Sequence, residues 1–130
     1  MSNTHSIEKK IYYHDTDCGG VVYYANYLKY LEEGRSEYFL SRGVSLKELA
    51  TEGVYFVVAH TELDYKYPAR YQDIIQVFTA IEKVGRCSID FVQGIVKEGN
   101  VLVKTKTTLV CINKDFKPIP LPESVKEKIL

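Results

Sequence analysis

The stretch His14-Asp15-Thr16-Asp17-Cys18-Gly19-Gly20 gathers two carboxylates, an imidazole and a thiol, and an aromatic run, Tyr23-Tyr24-Ala25-Asn26-Tyr27, follows directly. Nowhere else does the sequence concentrate reactive groups so tightly. A helix beginning in that run presents unpaired N-terminal amides, which bind a developing oxyanion. A carboxylate beside them can attack a carbonyl or activate a water. Gly19 and Gly20 suit such a place because they let backbone and ligand approach closely. Other chemistry fits the same residues less well. Asp17 could simply cap the helix, and Asp15 could be a solvated turn residue, a support for the loop or a group that positions a water. His14, Asp15 and Asp17 contain ligand atoms for a metal, but no further His or Cys stands close in sequence. Cys18 has no evident positioned base, which a thiol nucleophile needs.

The flanking sequence indicates which elements position these groups. Ile7, Lys9, Ile11 and Tyr13 alternate with Glu8, Lys10 and Tyr12, which predicts a first strand ending near His14. From Val22 the period changes. Tyr24, Tyr27, Leu28, Leu31, Arg35, Tyr38 and Phe39 share one helical stripe, with Lys29, Glu32, Glu33, Ser36 and Glu37 opposite. The pattern predicts an amphipathic helix of about five turns, running to roughly Arg42. Gly43 is a fitting stop. Ser45, with Glu48 three residues on, predicts a second, short helix. Beyond Gly53 four strands are predicted, over 54–67, 73–84, 87–97 and 101–113, with hairpin turns at Gly85-Arg86 and Glu98-Gly99-Asn100. Pro118, Pro120 and Pro122 end the sheet, and Glu123 to Leu130 suits a terminal helical turn. One helix against an antiparallel sheet is an α+β domain spanning 1–130. A single helix covers only part of one sheet face. An edge or face is left over, and pairing between subunits would cover it.

Bulk properties exclude several function classes. The 130 residues carry 17 basic and 17 acidic side chains, so the net charge is zero. Nucleic-acid binders usually carry a basic excess. The longest apolar run, Val54 to Ala59, is far short of the roughly 20 residues that span a bilayer. Met1 to Lys10 lacks the apolar core of a secretion signal. Cys18, Cys87 and Cys111 are odd in number and show no C-x-x-C spacing, which fits neither a disulfide framework nor a zinc site. A reducing cytoplasm is the simplest compartment.

Two motifs resemble those of the hotdog-fold acyl-CoA thioesterases, specifically the 4-hydroxybenzoyl-CoA thioesterase family and, within it, the Tol-Pal-associated thioesterase subfamily. The first runs from Tyr13 through Tyr27 and on to Glu32; the second is Tyr65-Lys66-Tyr67-Pro68-Ala69-Arg70-Tyr71-Gln72-Asp73. The resemblance spans essentially the whole chain. Two positions depart from the subfamily: His14 stands where it usually has Glu, and Tyr24 where it usually has His. The resemblance implies a helix wrapped by a five-stranded antiparallel sheet. It further implies dimers with active sites at the subunit interface, often paired into tetramers, acting on acyl-CoA without metal or organic cofactor. It puts the catalytic aspartate at Asp17 and the carbonyl-polarising amide at Tyr24.

The remaining site residues follow from that resemblance. Gly19, Gly20 and Val21 line the path of the thioester. Arg70, Arg86 and Lys83 are the candidate phosphate-binding cations for CoA, with Ser88 as a neutral hydrogen bonder. Asn26 and Tyr27 either help shape the loop and pocket or pack at the helix start. Glu32 and Arg35 read as structural, as does His60 in its alternating strand. A non-catalytic acyl-CoA or acyl-carrier-protein binding module is the alternative from a different class. A dehydratase is a weaker one, because the predicted helix offers no His.

Overall fold

The computed structural model describes residues 3–130; Met1 and Ser2 lie outside the described residues. Strand β1 (His5–Lys10) leads through a single 3-10 turn (Tyr13–Asp15) and an irregular hairpin to helix α1 (Asn26–Ser41). Helix α2 (Leu46–Thr51) follows. Strands β2 (Tyr55–Tyr65), β3 (Ile74–Val84), β4 (Ser88–Lys97) and β5 (Asn100–Ile112) come next, and helix α3 (Glu123–Ile129) closes the chain. The strands form one antiparallel sheet in the order β1-β3-β4-β5-β2. The predicted α+β class and five-stranded antiparallel sheet are therefore borne out. The β4–β5 hairpin turns on Glu98 and Gly99, both with positive φ, between paired Lys97 and Asn100. That is the two-residue turn whose twist matches its strands.

Two expectations about the first elements need correcting. β1 ends at Lys10 rather than near His14, because Tyr12 to Asp15 coil into the 3-10 turn. Helix α1 starts at Asn26, not Val22. Val21 and Val22 are extended and bridge Arg70 and Thr16, as β-branched side chains prefer. The buried stripe of α1 is Tyr27, Tyr30, Leu31, Gly34, Arg35, Tyr38 and Phe39. Leu28 faces out, and Tyr24 precedes the helix. At the far end the Gly43 amide donates to the Leu40 carbonyl and the Val44 amide to the Phe39 carbonyl. This doubly bonded stop is the one the glycine predicts. The Ser45 hydroxyl caps α2 by accepting from the Glu48 amide at 3.2 Å.

Helix α1 lies across one sheet face. The strands bury alternate residues beneath it, such as Ile89, Phe91, Gln93 and Ile95 of β4. The core divides into two apolar clusters. One holds Ile11, Val22, Tyr27, Leu31 and Ile75; the other holds Phe39, Ile89, Phe91, Leu109 and Val125. Between them runs a polar seam, Thr79, Gln93 and Thr105, which pair across three adjacent strands. The Arg35 guanidinium donates to the Gln93 Oε1 at 3.0 Å. The Gln93 amide nitrogen donates to the Leu31 carbonyl at 2.8 Å and to the Thr79 hydroxyl at 3.0 Å. Arg35 is thus a buried structural cation. Gly34 lets the helix sit this close: a Cβ there would meet Val77 Cγ1 at 2.8 Å and Thr79 Oγ1 at 2.9 Å.

Candidate active site

The reactive segment is a small hairpin standing off one end of the sheet. The Asp17 amide donates to the Val21 carbonyl at 2.9 Å, and the Tyr23 amide donates to the Asp15 carbonyl at 3.0 Å. Thr16 faces Val22 between them. The turn is Cys18-Gly19-Gly20, with Gly20 at φ 79°. Asp17 is exposed at its base. Its Oδ1 accepts the Gly19 amide at 2.8 Å, which fixes the carboxylate, and Oδ2 accepts nothing among the described residues. Asp17 therefore caps its own turn and not α1, contrary to the capping alternative. A Cβ on Gly19 would lie 3.2 Å from Asp17 Oδ1, so a side chain there would crowd the carboxylate.

Asp15, two residues away, is 6% exposed and structural. Its Oδ2 accepts the Tyr12 amide at 2.8 Å. Its backbone carbonyl accepts the Asn26 side-chain amide at 2.9 Å, which clamps the hairpin to the first turn of α1. The buried Tyr30 hydroxyl couples electrostatically to the Asp15 carboxylate, but makes no contact with hydrogen-bond geometry. Burial pushes the Asp15 carboxyl up. The Tyr12 amide, the Tyr30 hydroxyl and the charges of His14 and Lys9 outweigh it and hold the carboxyl below its usual value. Of the readings the sequence left for Asp15, the contacts are those of loop support, and burial rules out a solvated turn residue.

Tyr24 sits in the turn ahead of α1. Its amide donates to no group among the described residues. The Tyr65 hydroxyl donates to the Tyr24 carbonyl at 3.3 Å, and the two rings meet edge to face with centroids 6.3 Å apart. The Tyr24 ring is exposed and does not join the helix stripe. Tyr27 does: it is buried, and its hydroxyl accepts the Ala69 amide at 2.9 Å. The second sequence motif thereby braces the first. The Val22 amide donates to the Ala69 carbonyl at 2.8 Å, and Arg70 bridges Val21. The Arg70 amide is held by Asp73 Oδ2 at 2.8 Å, while Lys97 pairs with Asp73 Oδ1 at 2.8 Å. Gly19, Gly20, Val21, Asp17, Tyr24 and Arg70 thus share one end of the sheet.

Arg86, Ser88 and Lys83 do not. They stand at the β3–β4 turn, at the opposite end of an eleven-residue strand. Such a strand measures about 33 Å. Within one chain these three groups and Asp17 cannot touch a single thioester, so the site expected from the sequence is split between the two ends of the sheet. The remaining candidates are placed as follows. His14 is exposed, its Nδ1 3.8 Å from Asp15 Oδ1. Cys18 is exposed on the turn. Among the described residues no group of three or more His, Cys, Asp or Glu side chains is arranged to hold a metal ion. His60 is exposed on β2 with its Nε2 3.3 Å from Glu62. Sequence reasoning gave Asn26 a part in shaping the loop, but missed the electrostatic influence of Tyr30 on Asp15 and the Tyr65 brace on Tyr24. Nothing local marks Tyr30 or Tyr65.

A profile described as the thioesterase-like superfamily matches residues 12–129. The chain belongs to that superfamily. It is 36% identical over 118 residues to the acyl-CoA thioester hydrolase YbgC of Escherichia coli O6:H1, covering 89% of this chain and 88% of the relative. It is 33% identical over 128 residues to the acyl-CoA thioesterase YbgC of Haemophilus influenzae, covering 97% and 94%. Among solved structures, a probable thioesterase from Bartonella henselae superposes with a TM-score of 0.88 at 34% identity, covering 92% of this chain and 99% of that one. A 1,4-dihydroxy-2-naphthoyl-CoA thioesterase from Synechocystis superposes with a TM-score of 0.90 at 26% identity, covering 97% and 95%. The resemblance to hotdog-fold acyl-CoA thioesterases, read from the first motif, is borne out.

Proposed function

We propose that this chain hydrolyses an acyl-CoA to a free carboxylic acid and CoA. The observation that carries the reading is a fixed, exposed carboxylate, Asp17, on the hairpin that leads directly to an unpaired backbone amide, that of Tyr24 in the turn ahead of α1. The acyl-CoA thioesterases among its relatives support the substrate class. The Tyr24 amide donates to the thioester oxygen and stabilises the charge that builds there. Asp17 then acts in one of two ways. It attacks the carbonyl carbon, expelling the CoA thiolate and forming an anhydride that water opens; or it takes a proton from the water that attacks. Gly19, Gly20 and Val21 border the thioester. No metal or organic cofactor enters either route.

The reading includes a homodimer built across β2. β1, at one edge of the sheet, is six residues long and carries Glu8, Lys9 and Lys10. Charges of this kind keep other chains off an edge. β2, at the other edge, is eleven residues long and opens with Tyr55-Phe56-Val57-Val58-Ala59, a bare apolar edge. A two-fold axis pairs two β2 strands antiparallel and brings the β3–β4 turn of one chain to the catalytic end of the other. Arg70 then meets CoA from the same chain as Asp17, and Arg86 and Ser88 meet it from the partner. The sheet face away from α1, with half-exposed Phe78, Ala80, Val92 and Val96, suits pairing of dimers into a homotetramer. Among the described residues no helix is long and apolar enough to cross a membrane. All three cysteines are free thiols, which suits a reducing cytoplasm.

The test follows thiol release from a panel of acyl-CoAs. Wild-type turnover that Asp17→Asn reduces by a factor of about 100 or more is the expected result, by the scale of lost acid–base catalysis. Full activity in Asp17→Asn would sink the mechanism. Tight acyl-CoA binding without turnover across the panel would support the non-catalytic binding module instead.

A further inference from the structure

The end of the sheet opposite the catalytic hairpin holds an aromatic side chain that the fold itself leaves without a use. Phe116 is 76% exposed and has φ 60°, a left-handed conformation uncommon for a bulky residue. Its loop is built tightly around Asn113. The Asn113 side-chain oxygen accepts the Asp115 amide at 2.9 Å and the Lys117 amide at 3.1 Å. The Phe116 amide donates to the Asn113 carbonyl, and the Asn113 amide to the Lys117 carbonyl. Four hydrogen bonds thus hold a phenyl ring out in water. The ring borders a hollow of about 390 Å³ lined mainly by Tyr55, Phe56, Val57, Ile112, Lys114 and Phe116. That hollow is continuous with the bare edge of β2.

Charge selects what covers it. The other half of β2 carries Glu62 and Asp64. Antiparallel pairing of two copies keeps these carboxylates apart and sets them against the uncharged Tyr55–Val57 half of the partner, beside the partner's Lys114. The occupant is therefore a second copy of this chain. The same operation brings Phe116 to the catalytic end of the partner. Phe116 follows β5, one strand in from the edge, so two strand spacings place it roughly 10 Å from the partner's Tyr65. Tyr65 touches Tyr24, which leads to the hairpin of Asp17.

We propose that Phe116 is a specificity residue acting in trans: it stands against the partner's Tyr24 and Tyr65 and walls the pocket that receives an apolar acyl group beside the partner's Asp17. This assignment rests on the thioesterase reading above, which leaves that wall unassigned. Truncating the ring removes contact with the acyl group and leaves Asp17 and the Tyr24 amide untouched.

Subunit complementation tests it. Phe116→Asn keeps a residue that tolerates positive φ. It should raise KM for long-chain or aryl acyl-CoA by about 10-fold or more, the scale for an apolar pocket contact, with acetyl-CoA little changed. Asp17→Asn homodimers should be inactive. In hybrids of the two variants, isolated with two affinity tags, the only intact Asp17 faces a partner with an intact Phe116. Those hybrids should recover wild-type KM for the long-chain or aryl substrate. A hybrid that keeps the raised KM overturns the trans assignment, as does an active wild-type monomer in sedimentation. No thiol release by the wild type on any acyl-CoA overturns the thioesterase reading, and this assignment with it.

Discussion

Asp15 and Asp17 lie two residues apart and take opposite roles because their surroundings differ. Asp17 stands in solvent with one oxygen tied to the Gly19 amide and the other open to chemistry. Asp15 is buried, and its carboxylate and carbonyl together accept from Tyr12, Tyr23 and Asn26. Its folded-state carboxyl is held below the ordinary value. Asp15 therefore adds stability above about pH 4, and that contribution disappears as pH falls through the lowered folded-state value. Asp15→Asn should be less stable than wild type at pH 7 by roughly 1–3 kcal/mol, with the gap closing on acidification. Urea midpoints measured at several pH values check this; a gap that stays constant with pH contradicts it. Tyr24 permits a separate test of backbone against side chain. Tyr24→Phe keeps the amide and should retain kcat. Tyr24→Pro removes the donor and should lower kcat by about 100-fold or more. Equal losses in both variants would move the oxyanion contact from the amide to the hydroxyl.

At the scale of elements, α1 is held at one height above the sheet by Gly34 and the Arg35–Gln93 contact. Gly34→Ala brings two effects of opposite sign. Alanine is the better helix former by about 1 kcal/mol. Its Cβ would also press on Val77 and Thr79, both on a central strand that has little freedom to retreat. Overpacking of this kind costs about 1–3 kcal/mol, so the net change should be destabilising. Thermal unfolding measures it, and a raised melting temperature would show that the helix can lift without loss. The four main strands, the α2 cap and the stop at Gly43 follow directly from alternation, Ser45 and glycine, all local signals. The start of α1 was not legible in the same way. Helical periodicity extends back through Tyr24, but the Val22 and Tyr23 amides are already donated to Ala69 and Asp15, partners 47 and 8 residues away in sequence. Long-range hydrogen bonds override a local pattern that has nothing to oppose it.

At the scale of the molecule, the proposed two-fold dimer would join the separated Asp17 and Arg86 and cover the bare edge of β2. Lysine at an exposed edge discourages strand pairing. Val58→Lys, at a position 51% exposed on β2, should lower the dimer population in sedimentation and lower turnover in parallel. An unchanged sedimentation coefficient would place the interface elsewhere.

The sequence alone determined the reaction class and the fold. The fold rests on local patterns, alternating strands and one helical stripe, and the reaction class on the resemblance of the motifs at residues 13–32 and 65–73 to the thioesterase family. It also named Asp17, Tyr24 and Arg70, which the fold gathers at one end. Only the tertiary structure decided that Asp15 is an anchor, that α1 begins at Asn26, and that Arg86 and Ser88 stand a full strand length from Asp17. Those facts depend on which distant amide meets which carbonyl and on which end of the sheet a turn occupies. Neighbours in sequence do not encode either one.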